Sequence, residues 1–288
     1  MKILEGEPLA KYCSYRIGGK AAYLALPKDT EELVALLTWA KARGLDFEVI
    51  GFGANILFSD SGYPGLIISL RDFEMFCVRK DDSVIAGAGV ALSELVNFAC
   101  GEGLSGAENL AGIPGSVGGA LRMNAGAFGV EIKDILIRAN TLSYKSVKEK
   151  VLSVDELVLS YRSSKGLNGR AVLAAEFAFK QGDKSELVLK QEEIKRLRAE
   201  RHPLEHLSCG SVFKRTELAP AGKLIEECGL KGERAGGAEI SQKHANFIIN
   251  RGNAKAKDVR ELIRLARSEV LKRFGVVLEE EVRYLGEF

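Results

Sequence analysis

After Gly101 come eight more glycines within a stretch that ends at Gly129, at positions 103, 106, 112, 115, 118, 119, 126 and 129. Glycine loses the most backbone entropy on ordering and offers no side chain to bury, so this density is too rich for a packed helix. Leu104, Leu110, Ile113, Val117, Leu121, Met123 and Phe128 punctuate the stretch with groups that require burial, which argues against a disordered linker. What remains is a loop laid against a scaffold, with its backbone open to close approach by a ligand.

The flanks supply such a scaffold. Asp29 sits where it can cap a helix reaching to Gly44, Glu32 follows at capping-box spacing, and Leu33, Leu36, Leu37 and Ala40 form one face. The runs FEVIG, LIISL and SVIAGAG read as short strands joined by tight turns. A helix fits Leu92 to Cys100, and strands are expected over 135–144 and 171–179. A charged helix runs from about Ser185 to Arg201, where Pro203 stops it. Val259, Leu262, Ile263, Ala266, Val270 and Phe274 give 256–274 an amphipathic helix ended by Gly275, and VVLEEEVRYLG is expected to follow as a strand. Together these elements suggest an α+β or α/β region, with chemistry carried on loops between strands.

At 288 residues, two or three modest domains are expected. Lys and Arg number 41 against 39 Asp and Glu, a balance that gives no reason to expect nucleic acid or an anionic membrane as partner. The apolar stretches are far shorter than the roughly 20 residues that cross a bilayer, and the N-terminus lacks an apolar signal core, so a cytoplasmic location is expected. Cys13, Cys77, Cys100, Cys209 and Cys228 are odd in number and widely spaced, which reads as neutral or buried thiols. His202 and His206 straddle Pro203, and no metal site is expected.

Two runs carry ligand-binding character. GFGANIL, Gly51 to Leu57, follows an expected strand and offers small residues that admit a phosphate close to the backbone, although turn formation explains it as well. It lacks the third glycine of the dinucleotide fingerprint, as does GAGVAL from Gly87, so neither supports a Rossmann domain. In AGIPGSVGGALRMNAGAFG, Ala111 to Gly129, successive small residues let amides converge on a pyrophosphate.

Together with YRIGG (15–19), YRSS (161–164), CGSVFK (209–214), AGKLIEECGLKG (221–232), HANFIIN (244–250) and LEEEV (278–282), these runs resemble the UDP-N-acetylenolpyruvoylglucosamine reductase family, in family order from residue 15 to residue 286. The resemblance implies an FAD-binding fold of the vanillyl-alcohol-oxidase type in two subdomains, 1–70 and 71–183, a connecting helix over 184–202, and a C-terminal α+β substrate-binding domain over 203–288. It also implies noncovalent FAD, NADPH as hydride donor, a UDP-sugar substrate and a monomer. The flavin contacts it implies are Gly51, Gly53, Ala54, Asn55, Ile56 and Leu57 in the first run. In the second they are Gly112, Ile113, Pro114, Gly115, Ser116, Gly118, Gly119, Asn124, Ala125 and Gly126. Neither run contains His or Cys, so nothing there would attach the flavin covalently.

Three residues match the family's catalytic positions. Ser211 would protonate the substrate carbon, which a weak acid does only opposite a strongly basic carbanion or enolate. Arg162 would hold the substrate carboxylate as negative charge builds there. Glu281 would help most as a protonated hydrogen-bond donor, which requires a raised pKa. Read by themselves, Arg162 is a surface cation, Ser211 a turn residue and Glu279 to Glu281 a solvated run. In a strand, Leu278, Glu280 and Val282 share one face and leave Glu281 on the other. Arg201, Lys214, Arg215 and Lys223 are candidates for the UDP moiety, and His244 and Asn246 serve either that site or a structural hydrogen bond.

The chain departs from the family pattern in places. Arg215 and Thr216 stand where Asn-Pro is common, and Glu280 takes the proline position of LEPEV. There is no room between Ser164 and Ser208 for the tyrosine-bearing loop of some members, so this is the shorter variety. An oxidase on the same scaffold, or a catalytically dead UDP-sugar sensor, gives no account of Arg162, CGSVFK and LEEEV occurring together.

Overall fold

In the computed structural model, which describes residues 2–288, Asp29 caps the helix Thr30–Ala42, its carboxylate accepting from the Glu32 amide at 2.8 Å. Glu32 returns the bond by accepting from the Lys28 amide at 3.0 Å, and Gly44 follows the helix at φ +62°. The helices Leu92–Gly101, Lys184–Arg201 and Ala256–Phe274 stand where the sequence places them, the last closed by Gly275 at φ +68°. No helix among the described residues is long and apolar enough to cross a membrane.

The chain forms two compact units that interleave in sequence. One comprises Leu24–Phe52 and Leu66–Arg198 with the chain's start up to Ile3; the other comprises Leu4–Tyr23, Gly53–Gly65 and Ala199–Phe288.

In the first unit an antiparallel sheet orders its strands Glu149–Ser153, Leu136–Ser143, Arg170–Ala178, Ser83–Gly87, Cys77–Lys80. Phe47–Ile50 pairs in parallel with Leu66–Ser69. The LIISL strand is longer than its apolar run, spanning Tyr63–Ser69, and gives way to a 3-10 turn at Leu70. The glycine-rich stretch does contain a helix, Val117–Arg122, against expectation. Val117, Ala120 and Leu121 bury its apolar side, and Gly118 lies so close to Ala88 that an added Cβ would sit 3.0 Å from the Ala88 Cβ. Close packing, achievable only without a side chain, offsets the entropic cost of glycine in that helix.

In the second unit Ile56–Phe58 pairs in parallel with Arg283–Leu285, and Arg234–Ala235, Ala238–Ile240 and Ile248–Asn250 form a three-stranded antiparallel sheet. Asp60 caps the Ala256–Phe274 helix by accepting from the amides of Ala256 and Lys257 at 2.8 and 3.0 Å. The expected terminal strand is confined to Arg283–Leu285; upstream of it, Glu280 forms only an isolated bridge to Phe213.

Candidate functional site

The glycine-rich run of the first unit is built from Ser116 outward. Ser116 is buried, and its hydroxyl caps the Val117–Arg122 helix by accepting from the Gly119 amide at 3.2 Å. Val117 and Gly118 donate to the carbonyls of Val90 and Ala88 at 2.8 and 3.0 Å. The amides of 117–119 are thus committed to the protein and do not converge on a pyrophosphate. The Gly112, Gly115 and Ser116 amides, by contrast, have no protein acceptor among the described residues. Gly112 and Gly115 hold left-handed backbone at φ +74° and +121°, between which lie Ile113 and Pro114. Gly51 packs so tightly on Ser116 that a Cβ there would collide with the serine hydroxyl, which brings the end of one predicted run onto the other.

Arg198 was not singled out by sequence. Its side chain lies against Gly112, Nε 3.2 Å from where a Cβ would be, and Nε is buried without a hydrogen-bond partner. Burial alone lowers its pKa, with no acidic partner among the described residues. A desolvated cation beside unsatisfied amides is a fit for a phosphate group. A helical arginine on a strongly charged helix carries no periodic mark, so only tertiary proximity reveals it.

Asn124, at φ +40°, is fully buried and spends its side chain on the protein: Nδ2 donates to Glu131 Oε2 at 3.0 Å and to the Ser160 carbonyl at 3.1 Å, and Oδ1 accepts from the Lys133 amide at 3.0 Å. It therefore offers a ligand no side-chain contact. It secures the base of a hairpin, Leu159–Ser160 with Ser163–Ser164, that Ser164 also ties to the Arg122 carbonyl at 2.6 Å. Arg162 occupies the tip at φ +53°, its guanidinium 4.9 Å from the Tyr161 ring and donating to the Gly126 carbonyl at 3.3 Å. A left-handed arginine is costly and persists where surroundings enforce it. Ala125 and Gly126 complete that support, Ala125 donating to the Ala120 carbonyl at 2.8 Å.

In the second unit the GFGANIL run turns structural. Gly53, at φ +70°, passes against Tyr12 and Cys13 where a Cβ would strike the Tyr12 carbonyl. Ile56 and Leu57 form strand and are buried, so their side chains pack the core and are not available to a flavin. Between them and Gly53, Ala54 and Asn55 make the turn, and Asn55 Nδ2 donates to the Glu281 carbonyl at 2.9 Å.

Ser211 and Glu281 come from distant parts of the sequence into register. Glu281 donates its amide to the Val212 carbonyl at 2.7 Å and Lys214 donates to the Glu279 carbonyl at 2.8 Å, so Glu281 stands opposite Val212, next to Ser211 in the chain. Over 278–282, Leu278 and Val282 are buried, Glu279 is exposed, and Glu280 and Glu281 are half-buried. Asn246 clamps the serine segment, accepting from the Phe213 amide at 2.9 Å and donating to its carbonyl at 2.8 Å, while the Val212 amide donates to the Asn246 carbonyl. Of its two readings, the structural one holds. His244 serves it in turn, Nδ1 accepting from the Asn246 amide at 3.2 Å, and burial lowers the His244 pKa.

Cys209 lies two residues before Ser211, its thiol pushed up to about 12 by burial, with Glu281 adding to the effect. All five cysteines are free and their pKa values are raised chiefly by burial, as the neutral-thiol reading expects. The four candidate cations differ: Lys214 is paired with Glu279, Lys223 is exposed 3.8 Å from Glu227, and Arg201 and Arg215 are exposed.

Residues 202–285 match the sequence profile described as UDP-N-acetylenolpyruvoylglucosamine reductase, C-terminal domain, and residues 21–148 match that of an FAD binding domain. The chain is 44% identical to the UDP-N-acetylenolpyruvoylglucosamine reductase of Caldicellulosiruptor bescii, covering 100% of this chain and 92% of that one. It is also 44% identical to that of Carboxydothermus hydrogenoformans, covering 99% and 94%. The crystal structure of the reductase from Thermus caldophilus superposes with a TM-score of 0.84 at 34% identity, over 99% of this chain and 98% of that one.

Proposed function

The chain belongs to the UDP-N-acetylenolpyruvoylglucosamine reductase family, and from that premise we propose that it reduces UDP-N-acetylglucosamine enolpyruvate to UDP-N-acetylmuramate, a precursor of peptidoglycan, with NADPH as the electron source. The observation that carries the reading is the bridge that sets Glu281 opposite Val212, next to Ser211 in the chain.

FAD, when bound, would supply the chemistry that passes hydride from NADPH to the enolpyruvyl double bond. The amides of Gly112, Gly115 and Ser116, with the Arg198 guanidinium, would hold a phosphate of the cofactor by charge-assisted hydrogen bonds. Arg162 binds the substrate carboxylate, whose negative charge grows as hydride arrives at the neighbouring carbon. Its contacts with the Tyr161 ring and the Gly126 carbonyl limit the side-chain freedom lost on binding. Ser211 delivers the proton that completes the reduction to the lactyl ether, and Glu281, as a hydrogen-bond donor, stabilises the developing anion. Arg201, Lys214, Arg215 and Lys223 remain the cations for the UDP moiety. The enzyme acts as a monomer in the cytoplasm.

The test is anaerobic: flavin is reduced with NADPH and the enolpyruvyl substrate is added while flavin absorbance is followed. Rapid reoxidation that Ser211→Ala abolishes, with NADPH reduction retained, is the expected result. Flavin that stays reduced until air enters rejects the reading in favour of an oxidase.

A further inference from the structure

Glu280 stands on the apolar face of its segment, between Leu278 and Val282, both buried. A carboxylate there costs several kcal/mol of desolvation unless it is paired. Its side chain is only 15% exposed and meets three partners. Arg267 Nη1 lies 2.7 Å from Oε1, Arg260 Nη1 lies 3.7 Å from Oε2, and the Tyr284 hydroxyl donates to Oε2. Burial and then Glu280 itself hold Tyr284 above the ordinary phenol range, so it stays a donor. Arg260 is fixed from behind by the Tyr284 ring, 4.3 Å from its guanidinium carbon.

Few bonds hold the backbone beside this cluster. The bridge uses the amide of Glu281 and the carbonyl of Glu279, the Asn55 side chain donates to the Glu281 carbonyl, and each such bond contributes only about 1 kcal/mol net. No continuous ladder propagates from it. Arg260 and Arg267 lie two turns apart on the Ala256–Phe274 helix, so both reach Glu280 from one rigid element.

We infer that Glu280 is a positioning residue: its carboxylate, bound by Arg267, Arg260 and Tyr284, fastens the Glu279–Glu281 backbone to the Ala256–Phe274 helix and thereby sets where the Glu281 carboxyl is presented. The inference rests on the reductase reading for its kinetic consequence, but the fastening itself is a property of the fold.

The flavin-loaded full chain is compared with Glu280→Ala, Glu280→Gln, Arg267→Ala and the Glu280→Ala/Arg267→Ala pair. Amide hydrogen exchange at Glu281 and Lys214 and the two anaerobic half-reactions are measured on each. Expected for Glu280→Ala are exchange at both amides at least tenfold faster and reoxidation by saturating substrate at least tenfold slower, with NADPH reduction within twofold of the parent. Glu280→Gln, which retains an acceptor for Tyr284, falls between. Adding Arg267→Ala to Glu280→Ala changes exchange less than twofold further, because the partner is already gone. The inference is overturned if Glu280→Ala, or Glu280→Gln should Ala fail to fold, lowers thermal stability while exchange at Glu281 stays at the parent rate. It is equally overturned if both half-reactions fall together. A parent enzyme whose flavin the substrate does not reoxidise sinks the reductase reading alone, and the exchange measurement still decides the fastening.

Discussion

The side-chain amide of Asn55 donates to the main-chain carbonyl of Glu281 at 2.9 Å, joining the GFGANIL turn to the segment that carries the proposed acid. The resemblance places Asn55 at the flavin, and its Nδ2 secures the peptide of Glu281. Asn55→Ala should cost about 1 kcal/mol in urea unfolding. It should also slow substrate-driven flavin reoxidation more than NADPH-driven reduction. Equal slowing of the two steps would show that the bond does nothing for Glu281.

Asn246 satisfies both backbone groups of Phe213 in a buried setting. Asn246→Ala leaves a buried N–H and C=O without partners, and a loss of about 3 kcal/mol in denaturant unfolding is expected. Asn246→Asp, which keeps the acceptor but repels the Phe213 carbonyl, should be no better.

Arg198 gives a prediction of opposite signs. Without a phosphate its buried cation is uncompensated, so Arg198→Met should leave the flavin-free protein as stable as the parent or more so. FAD affinity measured by titration should fall, by roughly 10- to 100-fold for the loss of a charge-assisted bond of about 1.5–3 kcal/mol. Unchanged affinity removes Arg198 from the cofactor site.

His244 predicts a pH dependence. Its folded pKa lies below the ordinary value of 6.5, so the unfolded chain binds the proton first. Its contribution to stability is fully present above about pH 6.5 and is lost as pH falls through the lowered folded value. Protonation also removes the Nδ1 acceptor used by the Asn246 amide. Urea unfolding at a series of pH values should therefore show a loss below pH 6.5 that His244→Gln diminishes.

Gly53→Ala meets two obstacles, a left-handed backbone and the Tyr12 carbonyl in the path of the new methyl group. Strain of about 1–3 kcal/mol and displacement of the Asn55 turn should follow, read as a lowered melting temperature. Gly44→Ala, with open space around it, should incur only the backbone term of about 1 kcal/mol.

The sequence by itself determined the elements whose signals are local. Asp29 with Glu32 marks one helix start, Gly44 and Gly275 mark helix ends, and the 256–274 stripe gives its helix whole. Motif order carried the family, and alternation over 278–282 foretold the inward turn of Leu278 and Val282. Only tertiary structure decided what those features do. Glycines 118 and 119 became helix because Ala88 lies against one of them, and Asn124 and Asn246 became clamps because buried peptide groups stood within reach. Arg198 met Gly112, and Glu280 met Arg260 and Arg267, across stretches of chain that share no period. A local pattern records which face of an element is buried, whereas the partner of a buried polar group is set by which distant segment the fold brings alongside it.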